Sequence, residues 1–340
     1  MLRRLLILLP ILALVATVWL RDPPHRHNSS QIVAVTPLAL PDPVAVSLAP
    51  FSLTGAWRLT SANSNFGGYS ALVVPAPGWL RAYSDLGQRL ELPQPGRPGQ
   101  AFQAALFGRE AHDKSMRDVE AASRDPRTGE TWLAAEGRNA LLRLDSGGRI
   151  TARFAPPAMR RWPVNSGAEA MLRRADGSFL ILAEAYAESS WTGGGTGHEA
   201  LRFAPQRDGG PGRAERFSFI GPAGFRPTDM AELPDGRILV LTRRLRWPMP
   251  PRFGTQIVLA DPRQIAPGRP WRGTPLVSLE GTGLEENYEG LAIEPLADGR
   301  LTIWLTSDAN GAVTQRTLLL RLELDPANLP GTPAKQKAPD

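Results

Sequence analysis

One short phrase recurs five times along the chain, and that recurrence constrains the fold more than any other feature. It consists of an acidic or polar residue, a small residue and a few apolar residues, then a tight turn and a second apolar run. The clearest copy is Pro227-Thr228-Asp229-Met230-Ala231, followed by Asp235-Gly236 and Ile238-Leu239-Val240-Leu241. Other copies start at Asn287-Tyr288-Glu289-Gly290 with Asp298-Gly299, and at Gly167-Ala168-Glu169-Ala170 with Asp176-Gly177. A further copy is Asp118-Val119-Glu120-Ala121 with Asp125 to Gly129 as its turn; the first, worn copy is Gly68-Tyr69-Ser70-Ala71. Asp-Gly between short apolar runs is a hairpin signal, because glycine takes positive φ without steric cost. The runs lack helical spacing and are partly β-branched, so each copy predicts a β-hairpin.

Taking Ser70, Glu120, Glu169, Asp229 and Glu289 as the matching positions, the steps are 50, 49, 60 and 60 residues. Repeats of about 40 to 50 residues, each with several strands, predict propeller blades. The expected fold is therefore all-β: a single β-propeller of six blades, with five as the alternative count. The strand Phe51–Thr60 is expected to close the ring by pairing with residues 317–324. In a propeller the innermost strands line one channel, so Glu120, Glu169, Asp229 and Glu289 are expected to form a ring of acids. A second polar group follows each key residue, at Asp85, Glu136, Glu184, Arg243 and Asp308, and the hairpin returns it to the same end of the blade.

The amino terminus reads separately. Arg3-Arg4 precede an uncharged run from Leu5 to Leu20, closed by Arg21-Asp22. Sixteen helical residues would span about 24 Å, short of a roughly 30 Å hydrocarbon core. Residues 1–21 are thus expected to be a signal peptide or a membrane anchor, with the protein exported to the periplasm, soluble or held at the inner membrane by residues 5–20. Residues 22–50, with six prolines, read as an extended linker carrying His25 and His27, residues 51–328 as the propeller, and 329–340 as a disordered tail.

Composition removes several function classes. There is no cysteine, which excludes thiol nucleophiles, zinc-thiolate sites and disulfides. The net charge is +6, of which residues 1–30 supply +3 (Arg3, Arg4, Arg21 and Arg26 against Asp22). The arginines are dispersed, so no nucleic-acid partner is expected. There is no Gly-x-Ser-x-Gly elbow, and neither His112 nor His198 has a recognisable catalytic partner pattern. The glycine run before His198 leads into a strand, where a phosphate-cradling loop would need a helix start.

The acid ring remains. Carboxylates converging in a channel raise each other's pKa, and a bound divalent cation relieves the repulsion. A hard cation such as calcium takes oxygen ligands from carboxylates, amides and water, so Glu120, Glu169, Asp229 and Glu289 are the expected metal ligands. Asn165 and Asn287 are candidate amide donors. The competing reading has these acids capping inner strands by accepting bonds from backbone N–H groups. Arg117 and Arg243 stand at blade ends, and arginine forks suit phosphate. With Asp118 and Asp308 they form the candidate catalytic set, acting on a small, phosphorylated ligand.

These stretches resemble the phytase-like family of bacterial β-propellers known for an "esterase-like activity of phytase". The matching segments are Arg117-Asp118-Val119-Glu120 with Trp132 to Asn139, Asn165 to Ala170, and Pro227-Thr228-Asp229-Met230 with Leu241 to Arg244. Asn287 to Leu291, and Ser307-Asp308-Ala309-Asn310 with Gln315 to Leu320, complete the set. The resemblance implies an exported propeller that hydrolyses phosphoric esters. The chain departs from the family pattern at Gly68-Tyr69-Ser70-Ala71, at Ala121-Ala122 and at Ala309, where a second Asp is common. The expected activity is cation-assisted hydrolysis of a phosphoric ester, the alternative a non-catalytic propeller binding a ligand or protein in the envelope.

Overall fold

The structure is a computed structural model, and it describes residues 27–41, 48–107, 117–186, 197–247, 252–309 and 311–331. The apolar segment 5–20, His25, His112, most of the glycine run before His198 and the tail from residue 332 lie outside the described residues.

Five antiparallel sheets form the blades of a propeller. Counted outward from the axis, blade 1 comprises Tyr69–Val73, Trp79–Ser84, Gln88–Pro93 and Phe102–Ala105. Blade 2 comprises Val119–Arg124, Thr131–Ala135, Ala140–Leu144 and Ile150–Phe154. Blade 3 comprises Ala168–Arg173, Phe179–Tyr186, His198–Pro205 and Pro211–Ile220; Pro270–Arg272 adds a parallel edge strand. Blade 4 comprises Arg226–Glu232, Ile238–Arg246, Arg252–Ala260 and Thr274–Ser278. Blade 5 comprises Asn287–Pro295, Leu301–Asp308 and Thr317–Leu324, then Phe51–Thr60 and Ala34–Pro37 from the amino-terminal side.

The blade count is five, which corrects the preference for six. The longer third and fourth repeats do not contain another blade. Their extra residues lengthen hairpins, as in Ile238–Arg246 with Arg252–Ala260, and supply the edge strand Pro270–Arg272. The expected closure is present: Phe51 pairs with Leu324 and Leu59 with Thr317. Within the stretch expected to be linker, Ala34–Pro37 pairs with Trp57 to Thr60 and extends blade 5 to five strands.

Each Asp-Gly turn works as its chemistry dictates. Gly177, Gly236 and Gly299 sit at φ of 84°, 83° and 84°. The preceding aspartate accepts the N–H two residues on: Asp176 from Ser178, Asp235 from Arg237 and Asp298 from Arg300.

Blades are covered on both faces by their neighbours, so their strands are continuously apolar instead of alternating. Five buried clusters result, one per interface between blades. Tyr83 meets Leu133 between blades 1 and 2, and Trp132 meets Phe179 edge-on at 4.8 Å between blades 2 and 3. Phe219 packs with Val240 between blades 3 and 4. Leu241 packs with Leu291 between blades 4 and 5, and Trp304 with Leu80 across the closure. The ring of interfaces fixes the five inner strands around one axis, and that arrangement positions the site.

Candidate active site

The inner strand of every blade carries one β-bulge, and it falls at the same point each time. Pairing with the second strand skips one residue between Tyr69 and Ala71, Val119 and Ala121, Ala168 and Ala170, Pro227 and Asp229, and Tyr288 and Gly290. The skipped residues are Ser70, Glu120, Glu169, Thr228 and Glu289. A bulge re-aims its residue away from the pleat, so these five form one ring at the starting end of the inner strands.

The same register defines a second ring. The residues facing Tyr69, Val119, Ala168, Pro227 and Tyr288 are Ser84, Ala135, Ala183, Thr242 and Ser307. The next residue in each case is Asp85, Glu136, Glu184, Arg243 and Asp308. The expectation that these polar groups return to one end is met, and one of the five is basic.

Asp229 is not a member of the first ring. Its register places it one residue past the bulge, level with Ala71, Ala121, Ala170 and Gly290, and Thr228 holds the ring position. Asp229 is 1% exposed. Its carboxylate accepts the N–H of Met230 at 2.8 Å and of Leu291 at 2.7 Å, and that of Leu72 as well. It thereby ties blade 4 to blades 5 and 1 at the axis. Burial pushes its pKa well up and these three bonds partly offset that, with no ring acid contributing. The capping role considered for all the acids is Asp229's role.

Glu120, Glu169 and Glu289 do converge. Burial raises all three, and each also feels neighbouring acids: Glu120 feels Glu169 and Glu289, and Glu169 feels Glu136, Glu184 and Glu289. Glu120 and Glu169 lie well above the ordinary carboxylate range. Glu289 is pushed up to about 8 by burial, although Arg243 and an Asn287 N–H, whose Nδ2 donates at 2.8 Å, pull the other way.

Of the second ring, Asp308 accepts the Gly68 N–H at 2.8 Å and so ties blade 5 to blade 1. Glu136 accepts the Gly167 N–H at 2.7 Å, tying blade 2 to blade 3. Gly167 is required there, since a Cβ would stand 2.6 Å from Asn139 Oδ1 and 3.0 Å from Glu136 Cγ. Glu136 is also within hydrogen-bond reach of the Glu169 carboxyl, and burial lifts it to about 7. Glu184 pairs with Arg226 at 2.8 Å. Arg243 bridges two blades: Nε lies 3.1 Å from Glu289 Oε1, an ion pair without hydrogen-bond alignment, and Nη2 lies 3.7 Å from Glu184 Oε1.

The remaining expected residues divide. Asp118 stands beside Glu136, whose backbone N–H it receives at 2.9 Å through its carbonyl. Arg117 lays its methylenes against Gly87 of blade 1. His198 is buried, its ring nitrogens 3.0 Å from the Glu184 carbonyl and 3.3 Å from the Phe225 carbonyl, and it has a joining role between blades 3 and 4. Glu136 and Glu184 were legible as blade-end polar groups, but nothing in the sequence marked Glu136 as Glu169's partner.

As a cage for a divalent cation the ring fits poorly. Among the described residues, no three acid or histidine side chains are placed to hold one metal ion. Asp229 is engaged by backbone, and a guanidinium already stands between Glu184 and Glu289. At the other end of the channel the inner strands line a cavity of about 900 Å³, mainly with apolar residues such as Leu72, Ala122, Met230 and Ile293. That end holds the room, and the acid ring holds the titratable groups.

A family model described as Phytase-like, "Esterase-like activity of phytase", matches residues 64–311. No curated protein matches the sequence. Among solved structures, the chain is similar to XC5397 from Xanthomonas campestris, a gluconolactonase, at 11% identity and a TM-score of 0.42, covering 88% of this chain and 98% of that one. It is similar to a chain of a nidogen/laminin complex at 8% identity and 0.42, covering 79% and 94%. With YCF48 from Cyanidioschyzon merolae the values are 14% and 0.39, covering 81% and 75%. Likeness at this level extends to none of their functions.

Proposed function

The chain belongs to the Phytase-like family, and from that premise we propose that it is an ester hydrolase working at the acidic mouth through the carboxyl pair Glu136 and Glu169. One observation carries this reading: the two carboxyls lie within hydrogen-bond reach, with Glu136 oriented by the Gly167 N–H. Two carboxyls that close do not both ionise near neutrality, so one proton is shared between them. The ionised member takes a proton from a water attacking the ester carbonyl. The protonated member gives its proton to the departing alkoxide, so ester and water become acid and alcohol. Arg243, the basic residue of the two rings, faces the negative charge that develops on the carbonyl oxygen.

The charge of the mouth bears on substrate class. The rings hold three acids and four acids against one base of their own, Arg243, and those acids that are ionised repel an anionic phosphoric ester. A phosphoric ester would require a recruited hard cation such as calcium to screen that repulsion, and the ring as arranged offers no ready cage for one. An uncharged carboxylic ester meets neither obstacle, so it is placed first, with the small phosphorylated ligand second. Export to the periplasm, and inner-membrane anchoring through residues 5–20, belong to the same proposal and rest on the sequence alone.

General acid–base groups contribute about 10²- to 10⁴-fold. Glu136→Gln and Glu169→Gln should each lower kcat on a carboxylester reporter by about 10² or more, with the fold retained. The wild-type rate should rise with pH through about 7, as Glu136 ionises. Both variants retaining wild-type turnover would reject the pair. Silence of the folded protein towards carboxylester and phosphomonoester reporters, with calcium and with chelator, would favour the non-catalytic binding propeller instead.

A further inference from the structure

We infer that the cavity at the far end of the channel, away from the acid ring, is a binding site for a small amphiphilic acid, with its hydrocarbon chain between the inner strands and its carboxylate at Arg124. By register the cavity lies beyond Asp229. Leu72, Met230 and Leu291, whose N–H groups the Asp229 carboxylate collects, all line it, so the tie between blades is also the cavity floor. The acid ring stands on the other side of that tie, one residue earlier on each inner strand.

The rim is built alike in every blade. At the end of each inner strand, or just past it, stands one exposed residue: Pro77, Pro126, Ala175, Pro234 and Pro295. Proline fixes its own φ and offers no N–H, so four of the five rim positions are stiff and apolar. The walls beneath are apolar as well, and the volume of about 900 Å³ is that of a small-molecule site. A chamber of this kind takes an apolar body.

The charges at its edge select the head group. Arg124, Arg173, Glu232 and Glu294 also line the cavity, and three of them are already engaged. Arg173 is bonded to Asp125 at 2.9 Å, Glu232 to Arg174 at 2.6 Å, and Glu294 accepts from Gln94 Nε2 at 2.6 Å. The exposed guanidinium of Arg124 makes no ion pair or hydrogen bond among the described residues. The adjacent Asp125 is taken by Arg173 and approached by Arg127 at 3.9 Å. Blade 2's side of the rim thus sets Arg124, Arg127 and Arg173 against one carboxylate, while Glu294 stands two blades away. An unanswered guanidinium at the edge of an apolar chamber suits an apolar monoanion, whose carboxylate its fork can take in two parallel bonds.

The test is calorimetric titration of the full chain, wild type against Arg124→Glu, with sodium decanoate and with decylammonium chloride, both below their micelle concentrations. Wild type should bind one decanoate and prefer it to decylammonium. Each methylene added between octanoate and decanoate should tighten binding about fourfold. Arg124→Glu changes an exposed side chain and should keep the wild-type Tm. It should weaken decanoate about fivefold or more and reverse the preference between the two amphiphiles. The Met230 methyl resonance should shift as decanoate saturates the wild type. Equal binding of the two amphiphiles by wild type, no binding, or decanoate binding that Arg124→Glu leaves unchanged would each overturn the inference. Saturation with the Met230 methyl unmoved overturns it too, since the ligand then sits elsewhere. None of these readouts requires turnover, so the hydrolase proposal stands or falls separately.

Discussion

Asp229 and Glu169 are both buried acids on inner strands, and one residue of register separates their fates. Glu169 sits on the bulge and meets another carboxyl; Asp229 sits one step beyond and meets three backbone N–H groups. Their substitutions should therefore fail in opposite ways. Asp229→Ala strands buried donors from Leu291, Met230 and Leu72, and an unsatisfied buried group costs about 1–3 kcal/mol. A loss of about 2–4 kcal/mol in urea unfolding is expected, with turnover per folded molecule unchanged. Glu169→Gln replaces a carboxyl whose charged form burial already disfavours, so at pH 8 it should cost little stability or add some, while activity falls. Equal stability losses in the two variants would contradict the separation of roles.

At the scale of the element, the bulged inner strand is the repeating device, and Gly290 shows how closely such strands approach. A Cβ there would lie 2.8 Å from Leu72 Cβ and 3.1 Å from Leu72 N on blade 1, and 2.5 Å from Thr306 Cγ2. Backbone on one side and a β-branched methyl on the other leave no cheap relief. Gly290→Ala should cost about 1–3 kcal/mol through overpacking, read as a lowered denaturation midpoint; an unchanged midpoint would mean that the interface between blades 5 and 1 can open. The hairpins themselves were legible, because Asp-Gly turns and apolar runs are local properties, and so was closure by Phe51–Thr60. The blade count was not, because a 60-residue step cannot be told from its length to hold a longer hairpin or another blade. The bulge was not either. Thr228-Asp229 offers an acid beside the ring position, and alignment of acids selects Asp229, whereas strand pairing selects Thr228. Asp229's capping bonds come from residues distant in sequence, Leu291 and Leu72.

For the molecule as a whole, a basic chain of net charge +6 gathers its acids at the centre, and that placement sets how stability responds to pH. Folding lifts Glu136 to about 7 and Glu289 to about 8 from an ordinary value of 4.5, and burial also raises Glu120 and Glu169 well above it. Between about pH 4.5 and those values the native state holds protons that the unfolded chain has released. The slope of stability against pH follows the difference in bound protons, so over that interval stability falls as pH rises. Turn aspartates act oppositely. Asp125, hydrogen-bonded to Arg173, and Asp235, hydrogen-bonded to Arg237, are held below the usual range, so their contribution is lost only as pH drops below about 4. The two sets together put the optimum near pH 4 to 4.5, where the turn aspartates are ionised and the central acids have not yet begun to favour the unfolded chain. A Tm decrease on the order of 5 °C is expected between pH 5.5 and 8.5. Glu136→Gln should flatten that decrease around pH 7, because the amide has no proton to lose and its oxygen can still accept the Gly167 N–H. A wild-type Tm that is level or climbs across this interval would mean that the central acids are ionised and individually compensated, and that Glu136 and Glu169 share no proton.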